Sequence, residues 1–165
     1  MDASFSAEDH FRRGQEALES QRHTAALEHF RSAHRLDPAV VRYRSYYGLC
    51  VALAERRLDR ALELCRSAAK EEFFDPAHYR NLAHVHMAFG LKAEAIRYLR
   101  RGLTIDPDHG PILEDLRNLG VRRLPVLAFL PRRHALNRCL GRLLAGPRLR
   151  WRGGAGGRGK LTLEA

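Results

Sequence analysis

Two stretches, "AALEHFRSAHRLDP" (25–38) and "AEAIRYLRRGLTIDP" (93–107), repeat one spacing and limit what this chain can fold into more than its composition does. Each has a small residue, a bulky one four later, a small one three after that, and then Asp-Pro: Ala26, Phe30, Ala33, Pro38 in one and Ala95, Leu99, Gly102, Pro107 in the other. Twelve residues upstream of Ala26 and of Ala95 stands another small residue, Gly14 and Ala83. A middle copy reads Gly48, Ala61, Cys65, Ala68, with one extra residue between its first two members. Small residues recurring once per helix let two helices approach closely. Ile96, Leu99 and Leu103 fall at helical, not strand, spacing.

These residues resemble the tetratricopeptide repeat, a helix–turn–helix unit of about 34 residues. The resemblance runs from about Ala7 to Pro107, as three repeats over about 7–40, 41–75 and 76–109. It implies an all-α, right-handed α-solenoid of three helix pairs plus a capping helix. Helices are predicted over 7–20, 24–36, 40–55, 59–72, 76–89 and 92–105, with the cap from Pro111 to about Leu119, stopped by Gly120. Ser6 ahead of Asp9 predicts a capping box. Asp75-Pro76 reads as an N-cap followed by Pro at the first helical position.

The resemblance also implies a function. In tandem repeats of this kind the first helix of each pair lines a groove that holds a peptide or helix of a protein partner, so the chain is expected to be a non-catalytic scaffold or adaptor. Carried over by position, the groove lining is Phe11, Arg12 and Gln15, then Arg42, Ser45 and Leu49, then Arg80, Asn81, His84 and Met87. Such a groove is mixed and mildly basic. Only Arg80 and Asn81 come near the Lys and Asn pattern of the carboxylate clamp used by chaperone-binding members, so that ligand class is not expected.

Charge divides the chain in two. The formal net charge is +10, yet residues 1–116 balance almost to zero while 117–163 hold the Arg and Lys surplus and no acid. One-ended basicity points to an anionic partner for the C-terminal part rather than to a property of the repeats. There Pro125 and Pro131 bracket an apolar run that favours an extended segment, and "HALNRCLGRLL" spaces Leu136 and Leu140 as a short basic amphipathic helix. The expected domain plan is thus 1–121 repeat domain, 122–147 extended segment and helix, and 148–165 disordered Arg/Gly-rich tail. This pattern is similar to the tail of some small bacterial tetratricopeptide proteins.

Val126, Phe129, Leu130, Leu136 and Leu140 are candidate docking residues. Arg132, Arg133, Arg138, Arg142, Arg148, Arg150 and Arg152 are candidate anion contacts. Three destinations remain open for the tail: its own solenoid, a protein partner, or nucleic acid or an anionic membrane surface.

Other chemistry finds little support. Cys50, Cys65 and Cys139 are odd in number and widely spaced, which suggests neither disulfides nor zinc, and Cys65 at a packing position reads as a structural thiol. His84 and His86, two apart, point to different helix faces, and His29 and His34 read as solvated, so no metal or other cofactor is expected. "GGAGGRGK" (153–160) lacks the preceding strand and following helix of a phosphate loop. With no apolar leader and no run long enough to span a bilayer, a cytoplasmic protein is expected.

Overall fold

The computed structural model describes residues 5–121. Among these described residues seven α-helices follow one another: α1 (Ala7–Glu19), α2 (His23–Leu36), α3 (Val41–Cys50), α4 (Leu58–Glu71), α5 (Pro76–Ala88), α6 (Lys92–Ile105) and α7 (Gly110–Asn118). No strand occurs among the described residues. Successive helices pair as antiparallel hairpins, α1 with α2, α3 with α4 and α5 with α6, and each pair packs on the next to give an all-α solenoid.

Local chemistry sets the helix ends. Asp9 N–H donates to Ser6 Oγ at 3.1 Å while Ser6 N–H donates to Asp9 Oδ2 at 3.2 Å, closing the capping box with Asp in place of Glu. Asp75 Oδ1 accepts from Ala77 N–H at 2.8 Å, with Pro76 opening α5. At the far ends of α1, α5 and α7 one closure recurs. Arg22, Leu91 and Val121 N–H donate five residues back, to Ala17, His86 and Leu116 O, over 2.8–2.9 Å. The residue before each of these is left-handed: Gln21 (φ 56°), Gly90 (φ 75°) and Gly120 (φ 73°).

The middle repeat handles its extra residue openly. From Val51 to Glu55 the helix continues as a π-turn before Arg56 turns left-handed at φ 57°. A π-turn is what one inserted residue produces in an α-helix, because it lets the helix absorb the residue without rotating the downstream turns.

Packing depends on the small positions. A Cβ on Gly14 would lie 2.7 Å from the Phe30 ring, and one on Gly48 would lie 2.7 Å from Cys65 Sγ and 2.9 Å from Leu64 Cβ. Both helix crossings therefore require the missing side chain. Phe30 is fully buried and its ring meets Phe11 edge-on, which in turn meets Tyr46. At the end of the solenoid α7 lays Ile112 and Leu116 over Ala83, Ala95 and Leu99. Ile112 is completely buried, worth about 1.5–3 kcal/mol relative to an exposed side chain. That is the cap a repeat array needs for its last apolar face.

Candidate functional site

Helices α1, α3, α5 and α7 stand side by side, joined by polar links. The first link is between α1 and α3. Arg42 Nη2 and Tyr43 Oη both donate to Glu8 Oε2, at 2.5 and 2.7 Å. Arg42 also lies over the rings of Phe11 (5.0 Å) and Tyr43 (5.4 Å). The second link joins α3 to α5: Asn81 Nδ2 donates to Ser45 Oγ at 3.0 Å, both groups buried. A third joins α5 to α7. Asp115 accepts from Arg80 Nε at 2.7 Å and Nη2 at 3.4 Å, and its Oδ2 lies 2.8 Å from His84 Nε2. Burial alone would raise the Asp115 carboxyl, but the His84 and Arg80 hydrogen bonds and positive charge outweigh it and hold the pKa below the usual carboxylate range.

This arrangement corrects the groove read from the sequence. Phe11, Ser45, Leu49 and Asn81 are each under 5% exposed, packed between helices, and so brace the face rather than offering side chains to a partner. Nor is the face basic: Arg42, Arg80 and His84 have their carboxylates within the fold, and the exposed Arg12 bonds Asp9 one turn away at 3.1 Å. Gln15 and Met87 stay half-buried at the surface, beside the equally half-buried Tyr46. Glu8 and Asp115, which complete the links, were missed. Their partners lie 34 and 35 or 31 residues away in sequence, and no local pattern announces such pairs.

Histidine placement differs in part from expectation. His84 faces the surface and His86 the interior, as their two-residue spacing predicts; His86 stacks on Tyr98 at 5.2 Å with neither ring nitrogen partnered. His29 and His34 are half-buried rather than solvated. His29 Nδ1 lies 3.3 Å from His10 Nδ1, and His34 stacks on Tyr47. Both, like His86, have pKa values lowered chiefly by burial.

Cys65 is fully buried and its thiol donates to Ser45 O at 3.3 Å. Burial pushes its pKa up, and that of Cys50 up to about 12, which favours the thiol over the thiolate at both positions.

Glu72, Asp75 and His78, at the α4–α5 turn, are the one group among the described residues that could offer three metal ligands. His78 Nε2 lies 2.9 Å from Glu72 and 3.8 Å from Asp75. A metal on Nε2 would move the ring proton to Nδ1, which is buried with no acceptor, so the hydrogen bond to Glu72 is the better account. The tail candidates Val126, Phe129, Leu130, Leu136 and Leu140, and Arg132, Arg133, Arg138, Arg142, Arg148, Arg150 and Arg152, lie outside the described residues. No described helix is long and apolar enough to cross a membrane.

Paired helices, recurrent small contacts and a capped end define an α-solenoid repeat protein. Family models of the tetratricopeptide repeat match residues 11–76 and 79–109, and the chain belongs to that family. Comparison with curated proteins finds no match.

Among solved structures the fold is similar to YrrB, described as a TPR protein with an unusual peptide-binding site (TM-score 0.55, 19% identity, 70% of this chain and 59% of that one). It is also similar to the Arabidopsis OM64 TPR domain (0.55, 16%, 70% and 94%). A third is the first TPR of Spaghetti (RPAP3) bound to the HSP90 peptide SRMEEVD (0.54, 15%, 70% and 90%). The chain thus spans under two thirds of YrrB, and at these identities the likeness is one of fold.

Proposed function

We propose that this chain is a non-catalytic interaction scaffold whose α1–α3–α5–α7 face binds a peptide or helix of a protein partner. One observation carries the kind of partner: the charges of that face are satisfied inside the fold, Arg42 by Glu8 and Arg80 with His84 by Asp115. What is left open is Gln15, Tyr46 and Met87, amphipathic or apolar groups suited to an uncharged or apolar segment. The peptide bound by the Spaghetti repeat is acidic, ending EEVD. In this chain Asn81 is committed to Ser45 and Arg80 to Asp115, so an acidic chain end has no free clamp.

A photo-crosslinking residue placed at Gln15 or Met87 of the full chain tests this against one at Glu63 on α4. Crosslinks to a partner segment concentrated at 15 and 87, and lost on Met87→Glu in the Gln15-labelled chain, are expected. Equal labelling from position 63 would overturn the reading.

The basic segment supports a second reading, a nucleic-acid accessory protein or an adaptor on an anionic membrane, because 117–163 hold no acid. Six phosphate contacts would give a log affinity against log salt slope of about −5 on duplex DNA. A shallow slope would count against it.

A further inference from the structure

Aligning the second helices on Ala26, Ala61 and Ala95 reveals a change of surface in the last repeat. Two residues on stand Glu28, Glu63 and then Arg97; six residues on stand Ser32, Ser67 and then Arg101. Five residues on, the column is constant: Arg31, Arg66, Arg100. In α2 the arginine is neutralised, Arg31 bonding Glu28 at 3.0 Å and Glu55 at 2.7 Å. In α4, Glu63 is bonded by Arg60 at 2.7 Å. In α6 the acid of that column is gone.

Arg97, Arg100 and Arg101 are all exposed, opposite the buried stripe of Ala95, Leu99 and Gly102, and none makes an ion pair among the described residues. Glu94, the sole acid of α6, pairs with none of them. Two of the guanidinium groups lie near rings, Arg97 at 5.8 Å from the Tyr98 centroid and Arg101 at 5.1 Å from that of Tyr79. Arg66 of α4 is also exposed and makes no ion pair among the described residues.

We propose that the outer face of α6, Arg97, Arg100 and Arg101, is a second docking surface, one that takes an acidic segment of a protein partner. Each arginine offers a planar fork that matches a carboxylate. Three forks within about 6 Å of helix rise suit Asp or Glu side chains spaced along one short segment. A nucleic acid would need a longer track of phosphate contacts than these residues supply. The surface is separate from the α1–α3–α5–α7 face and does not depend on what binds there.

The test is a full-length double variant, Arg97→Glu with Arg101→Ser, which gives the third repeat the side chains the second already has at those positions. Arg97→Gln with Arg101→Gln serves if the first does not fold. Fluorescence anisotropy at low salt is read with a Glu-rich octapeptide and with a single-stranded oligonucleotide of equal length. The double variant should weaken the peptide about tenfold, as expected for losing two charge-assisted contacts, and leave the oligonucleotide unchanged. Met87→Glu should leave peptide binding intact, which separates this surface from the other. Unchanged peptide affinity would overturn the proposal. A loss for the oligonucleotide equal to that for the peptide would overturn it too, by making the surface a general anion site.

Discussion

Asn81 and Ser45, 36 residues apart, are each other's buried hydrogen-bond partner, with Nδ2 3.0 Å from Oγ at the α3–α5 contact. Both are under 5% exposed. Ser45→Ala leaves the Asn81 amide buried without its acceptor and should cost about 1–3 kcal/mol in a denaturant melt. A loss below a few tenths would mean that water replaces the hydroxyl and that the pair does not hold α3 to α5.

The π-turn at Val51–Glu55 accounts for the one residue by which the middle repeat exceeds the others. Deleting Ala54 should therefore convert the turn to ordinary α-helix and keep both Gly48 and Arg56 in register. In a plain α-helix a deletion rotates everything downstream by about 100° and disrupts the fold. Here the circular dichroism spectrum should stay helical and the stability loss should remain below about 2 kcal/mol, within the range of an ordinary point change. An unfolded variant would show that the π-turn is required rather than merely accommodated.

The helices and caps were legible because the cap signals are local, Ser6 with Asp9 and Asp75 with Pro76, and because the small residues that let helices pack, Ala26, Ala61 and Ala95, recur at one place in each repeat. The extra residue was legible as well, though not the π-turn that absorbs it, since a loop insertion would leave the same count. The site was less legible. Position within a repeat places Phe11 on a first helix, but its burial depends on neighbours 19 and 35 residues away, Phe30 and Tyr46. Arg80 looks like a free cation until α7 brings Asp115 against it.

His86 makes stability depend on pH. Its pKa is lowered by burial and then by Arg66 and Arg97, so the unfolded chain binds its proton more readily than the folded one. Its contribution is complete above about pH 6.5 and is lost as pH falls below that toward the folded value. His29 and His34 act in the same direction. His86→Phe keeps the stack on Tyr98 and removes two buried nitrogens that lack partners. At pH 7 it should be neutral or stabilising by up to about 1 kcal/mol, and it should flatten part of the fall in thermal midpoint between pH 7 and 5. An unchanged slope would show that this ring does not titrate with folding.

Asp115 both fastens α7 and neutralises the candidate face. Its side chain is 12% exposed, against 34% for Arg80 and 29% for His84, so solvent screens the pair only in part. Asp115→Ala should cost about 1–3 kcal/mol at neutral pH, mostly from leaving two donors without their acceptor. Because the folded carboxyl titrates below its unfolded value, the stabilisation is present above that value and lost as pH falls through the folded one. The part of the gap between wild type and variant that rests on this carboxylate should narrow below about pH 4. The same change frees Arg80 and His84 at the surface. If their pairing is what makes the face unsuited to acidic peptides, Asp115→Ala should bind a short peptide with an acidic C-terminus more tightly than wild type in an anisotropy titration, despite its lower stability. A variant that loses stability without that gain would show that Asp115 fastens the cap but does not set what the face accepts.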